Sequence, residues 1–116
     1  DTSTDQLERA LAGWRYSGPR ADQLRQQLIS RQNNDGGFGS YAGYDSNVLD
    51  TAIALSALAS HRSIFAGAIS GAITYLQQNQ ASDGAFRLAP GDAGNALAMT
   101  AICHDFSLSV KCIVKG

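Results

Sequence analysis

One pattern, Gln-x-x-Asp-Gly-x-Phe, occurs twice in this chain of 116 residues, as Gln32–Phe38 and again 48 positions later as Gln80–Phe86. The match extends beyond the pattern. Leu28 pairs with Leu76 at the same spacing, and Ala54-Leu55-Ser56-Ala57-Leu58 pairs with Ala98-Met99-Thr100-Ala101-Ile102 at a spacing of 44. Matches in order, with one length change confined to a connecting loop, mark an internal repeat, and a period in this range belongs to stacked supersecondary units. The length suits one domain. It divides into a leading helix, a first repeat over about 20–62, a second over about 63–105, and a tail over 106–116.

Each repeat reads as two helices. Helix one is expected from Thr4 to Trp14, opened by a Ser3-x-x-Gln6 capping box and carrying Leu7, Ala10, Leu11 and Trp14 at helical spacing. Gly18-Pro19 breaks the chain. Helix two, Arg20 to Asn33, then has only Leu24, Leu28 and Ile29 on a narrow stripe, as an outer helix would. Helix three, Val48 to Ser60, is apolar or small around most of its circumference and should be buried on nearly every side. Helix four, Ser63 to Gln78, returns to a stripe of Ile64, Phe65, Ala68, Ile69, Ala72, Ile73 and Leu76. Helix five, Asp92 to His104, is again apolar all round. The expected fold is all-α, with inner and outer helices alternating in two layers. The tail alternates weakly through Phe106, Leu108, Val110 and Cys112, which fits either a strand or a further helix.

The repeated pattern has a physical reading of its own. Asp35-Gly36 and Asp83-Gly84 each supply a turn residue followed by one free to take positive φ, so a helix ends there. Phe38 and Phe86 then fold back as hydrophobic plugs. Gln32 and Gln80 carry donors and acceptors for backbone groups left without partners at a neighbouring helix end. Between the first pattern and helix three lies Gly39–Asn47, a longer loop than its counterpart Arg87–Gly91. It brings in Tyr41, Tyr44 and Asp45. Tyrosines on a loop bury large area at low entropy cost, as binding surfaces require, and with Trp14 these residues are the candidates for contacting a ligand or partner. The competing reading is that both rings seal the core over the helix ends.

Chemistry is otherwise sparse. Net charge is −1 with scattered basic residues, which gives no footprint for nucleic acid. No apolar run is long enough for a membrane span. Asn33-x-Asp35-Gly36 is like the middle of a calcium loop, but Arg31 and Ala42 occupy positions that would need oxygen ligands. Cys103, His104 and Asp105 are adjacent on a helix and point about 100° apart, so they cannot close on one metal. No metal and no cofactor is expected. Cys103 and Cys112 either pair across their short loop or stay buried thiols.

With Tyr75-Leu76 upstream of Gln80, the pattern resembles the glutamine-and-aromatic repeats of squalene and oxidosqualene cyclases. It is similar also to the Asp-Gly-Gly-Phe segments of protein prenyltransferase β subunits. The helix Asp50–Leu58 resembles the one that follows the pattern in both, so the likeness covers about Ala21 to Ile102. It implies an α/α-toroid-like arrangement of helical hairpins, in which Gln32 and Gln80 cap the next hairpin's outer helix. Gln32, Asp35, Gly36, Phe38, Gln80, Asp83, Gly84 and Phe86 are then structural. The catalytic parts of those families do not carry over. Where terpene cyclases open an inner helix with Asp-x-Asp-Asp, this chain has Asn47-Val48-Leu49-Asp50. Asp50 is expected to start a helix instead of donating a proton.

Two patterns and a leading helix fall short of a closed ring, and repeat stacks need about three units. Leu7, Leu11 and Trp14 on helix one, and Leu97, Met99 and Ile102 on helix five, are expected to face outward and need covering. The chain is therefore expected to be part of a longer protein or to self-associate. The functional expectation is a non-catalytic binding or scaffold module of a larger, secreted or cell-surface protein. The alternatives are a piece of an isoprenoid-processing enzyme whose catalytic residues lie elsewhere, and a small-ligand carrier, as the α/α barrels of cobalamin carriers are. An apolar, isoprenoid-like ligand would suit the last two.

Overall fold

A computed structural model of the chain describes residues 2–80, 85–87 and 113–115. Over 2–80 the fold is all-α. It comprises α1 (Thr4–Gly13), α2 (Pro19–Ile29), α3 (Val48–Leu58), a 3-10 turn (Ala59–His61) and α4 (Ala66–Gln78). Two three-residue strands, β1 (Ala85–Arg87) and β2 (Ile113–Lys115), pair in parallel with Phe86 opposite Val114. The described residues thus hold four α-helices where the sequence predicts five. The fifth, Asp92 to His104, lies outside them, as do Ala81–Gly84 and both cysteines. Of the tail, 113–115 is strand.

α1 begins where the sequence predicts. The Ser3 hydroxyl accepts from the Gln6 backbone N–H, and the Gln6 side chain accepts from Ser3 N–H, which satisfies two donors at the helix start. It ends one residue early, because the chain reverses through Arg15 and Tyr16, both in the left-handed region at φ 54° and 56°. α2 ends at Ile29 and not at Asn33. Arg31 and Gln32 N–H turn to the carbonyls three residues back, which tightens the last turn and releases the Gln32 side chain outward. α4 starts three residues later than predicted. Phe65 is tucked into the core at its N-cap, so the preceding turn at 61–65 cannot be helical.

α3 is the central element. Of its residues only Ser56 is exposed, and it packs against α1, α2 and α4. Its low amphipathicity is what a helix surrounded by neighbours needs. The core joins Leu7 and Leu11 of α1, Leu24 and Leu28 of α2, Leu55 and Leu58 of α3, Ile69 and Leu76 of α4, and Phe38 from the loop. Two sequence expectations fail here. Leu7 and Leu11 are 1% and 0% exposed, because they face α3 instead of an open end; of that trio only Trp14 is exposed. Ile64, placed on the core stripe of helix four, is exposed because it falls in the turn before α4 begins.

The N-termini of α1 and α3 both meet residues 38–40. Thr4 N–H donates to Ser40 O at 2.8 Å and its hydroxyl to Gly39 O at 2.6 Å. The Ser40 hydroxyl donates to Asp50 at 2.8 Å. α1 and α3 therefore run parallel, and the molecule has two ends: a loop end carrying 30–47, and a turn end carrying the connections 14–18 and 59–65.

Candidate functional site

The loop end is assembled from side chains that bond backbone. Asn33 to Gly36 form a turn closed by Gly36 N–H on Asn33 O at 2.9 Å, with Gly36 at φ 88°, a conformation that a side chain would strain. One oxygen of Asp35 accepts from Gly37 N–H at 2.8 Å and from the Ser46 hydroxyl at 2.7 Å. The Asn33 amide donates to Tyr44 O and to Ser46 Oγ, both at 2.9 Å. Asp35 and Asn33 thus tie the two flanks of the 38–47 loop together. Tyr75 of α4 lies against Gly37. Burial first, and the nearby Asp35 charge second, hold its phenol above its ordinary pKa.

Gln32 is a fork. Its amide donates to Gly36 O in its own turn and to Ala68 O in α4, each at 2.9 Å. Beneath it the turn and α4 meet backbone to backbone. A Cβ built on Gly36 would stand 2.2 Å from Gly71 O, a separation no side chain survives. Phe38 is fully buried and bridges Asn47 in antiparallel fashion. Its N–H donates to the buried Thr51 hydroxyl at 2.9 Å, and that hydroxyl donates on to Asn47 O at 2.7 Å. Asn47 caps α3 by accepting from Asp50 N–H at 2.8 Å, while the Asp50 carboxylate accepts from Asn47 Nδ2 at 2.7 Å. Asp50 is therefore occupied at a helix start. Gln80 ends the described helix-four region, Phe86 lies in β1, and Asp83 and Gly84 fall outside the described residues.

On this frame Tyr41–Tyr44 makes a turn closed by Tyr44 N–H on Tyr41 O at 3.1 Å, with Gly43 supplying positive φ at the third position. The two rings pack at 5.2 Å between centroids, tilted by 56°. Tyr41 is half-buried, Tyr44 is 58% exposed, and Asp45 is exposed beside them. Trp14, 56% exposed, is not brought to this group. It sits at the far end of α1, about 15 Å away along a ten-residue helix.

The sequence reading missed several parts of this arrangement. Thr4, Thr51, Asn33, Ser46 and Gly71 have no pattern of their own, although Asn47-x-x-Asp50 is a readable helix start. Arg25 was also missed. It is fully buried, bonded to Asp22 at 3.0 Å and to the Tyr16 carbonyl, where it fixes the turn between α1 and α2. Among the described residues no three metal-ligating side chains gather, and no helix is long and apolar enough to cross a membrane. Comparison with known proteins found no family model, no curated protein and no solved structure that matches the chain.

Proposed function

We propose that this chain is a non-catalytic binding or scaffold module of the helical-repeat kind, built from toroid-like stacked hairpins and presenting its Tyr41–Tyr44–Asp45 loop to a partner within a larger assembly. Support for stacked hairpins comes from Gln32, whose amide links its own turn to the outer helix of the next hairpin. The reading of the loop rests on one observation: an exposed aromatic pair stands on a segment whose two flanks are both clamped by Asn33, Asp35 and Thr51. A loop held in one shape loses little entropy on binding, so its contacts convert more fully into affinity. Asp35 and Asp50 spend their carboxylates on that clamp, so their role here is positional.

The test separates presentation from sealing. Replacing Tyr41 and Tyr44 together with serine should leave chemical-denaturation stability within about 1 kcal/mol of wild type, far less than the loss for a fully buried ring. A loss as large as that of a buried ring would assign both tyrosines to the core and end the binding reading.

A further inference from the structure

The two ends of the molecule differ in charge. From Gln32 to His61 the sequence contains no lysine or arginine, while Asp35, Asp45 and Asp50 all fall at the loop end. Arg31, the cation nearest in sequence, is buried and donates to Thr2 O at 2.7 Å. Asp35 and Asp50 are bound into the clamp. Asp45 is exposed beside Tyr44, and no described side chain is paired with its carboxylate.

The turn end is the reverse. Arg15 and Arg20 are exposed there, alongside Trp14 and Ile64, which are 56% and 66% exposed. Of the carboxylates at that end, Asp22 is bonded to the buried Arg25 and Glu8 accepts from the Tyr16 hydroxyl. One end thus offers aromatic faces with a carboxylate, and the other offers guanidinium groups among apolar side chains. Guanidinium stacks on tyrosine faces and pairs with carboxylates, so the two ends are complementary in chemistry.

We propose that copies of this chain associate head to tail, the Tyr41–Tyr44–Asp45 loop of one seated on the Trp14, Arg15, Arg20 and Ile64 end of the next. This names the partner of the proposed binding loop and rests on that reading. The contact is heterologous, so it propagates into rings or filaments and does not stop at a symmetric dimer. Exposed charges carry part of it, so salt weakens it.

Light scattering on the full chain tests this by charge exchange. Wild type should exceed the 12.2 kDa chain mass at about 0.01 M salt and fall toward it at about 1 M, where the screening length drops from about 30 Å to about 3 Å. Asp45→Arg alone sets a cation against the arginines of the other end, and Arg15→Glu/Arg20→Glu alone sets carboxylates against Asp45. Each should stay at 12.2 kDa. Mixing them one to one should restore the wild-type mass, because each end then meets its opposite. Circular dichroism confirms that both variants are folded. A wild type at 12.2 kDa in low salt, variants that assemble like wild type, or a mixture that stays monomeric would each overturn the arrangement. If any of these occurs while the Tyr41→Ser/Tyr44→Ser chain keeps wild-type stability, the binding reading stands and only the head-to-tail partner is wrong.

Discussion

The loop end and the turn end of this molecule are held by different means. At the loop end, bonds join residues far apart in sequence: Thr4 to Gly39, Gln32 to Ala68, Phe38 to Thr51 and Arg31 to Thr2. At the turn end the described bonds are mostly local. Tyr16 reaches Glu8 at 2.8 Å, Arg25 reaches the Tyr16 carbonyl and Asp22, and His61 O takes Ile64 and Phe65 N–H. Among the described residues the loop end is thus an extension of the core, while the bonds of the turn end run between near neighbours in the chain. A segment that looks like surface in a linear reading carries much of the long-range order.

The largest test of that contrast pairs two aromatic residues. Phe38→Ala should cost about 3–5 kcal/mol by urea denaturation, the usual loss for a buried ring. Trp14→Ala should stay within about 0.5 kcal/mol, as surface changes do. Equal losses would erase the distinction between the ends. Thr51→Val comes next, because it removes the hydroxyl that joins Phe38 N–H to Asn47 O. A buried donor left without a partner costs about 1–3 kcal/mol, and amide exchange at Phe38 should quicken accordingly. Unchanged exchange there would show that the bridge does not depend on Thr51.

The smallest effect belongs to the turn end and depends on pH. Burial first, then the hydrogen bond and charge of Glu8, push the Tyr16 phenol up from 10.0 to about 12. The folded state therefore favours the neutral phenol. Its contribution is whole below pH 10 and is lost as the pH rises through about 12. Wild type should lose stability relative to Tyr16→Phe across that window, and absorbance titration should lose a late-ionising phenolate in the variant. Parallel stability curves would mean that neither the burial of this phenol nor its Glu8 contact holds in solution.

Much of the helical frame was legible in the sequence, for reasons that individual residues make plain. Ser3-x-x-Gln6 marks a helix start because two backbone donors need those two side chains. The all-round apolar character of α3 marks the centre because every face meets a neighbour. Helix ends were less legible. Gln32 has an ordinary helix propensity, yet its side chain serves α4, and that tertiary demand ends α2 early. Leu7 and Leu11 were assigned to an open face because sequence spacing gives a stripe without saying what covers it. In the candidate site, Tyr41, Tyr44 and Asp45 were visible as a tyrosine-bearing loop, but their separation from Trp14 was not. That distance depends on the parallel course of α1 and α3, which follows from two hydrogen bonds made by Thr4.

Gly36 and Gly71 carry a consequence of another kind. Where two hairpins touch through side chains, a substitution can be absorbed by a rotamer. Here they touch through bare backbone, and nothing between them can yield. The missing methyl of Gly36 sets how closely α4 approaches, whereas one on Gly71 would meet the Gln32 amide at 3.2 Å. A methyl wedge at Gly36 would swing α4 outward, and in the stacked-hairpin arrangement proposed above every later unit would inherit that rotation. Under that proposal, curvature, the property that decides whether such a stack bends into a ring or runs on as a spiral, depends on this joint.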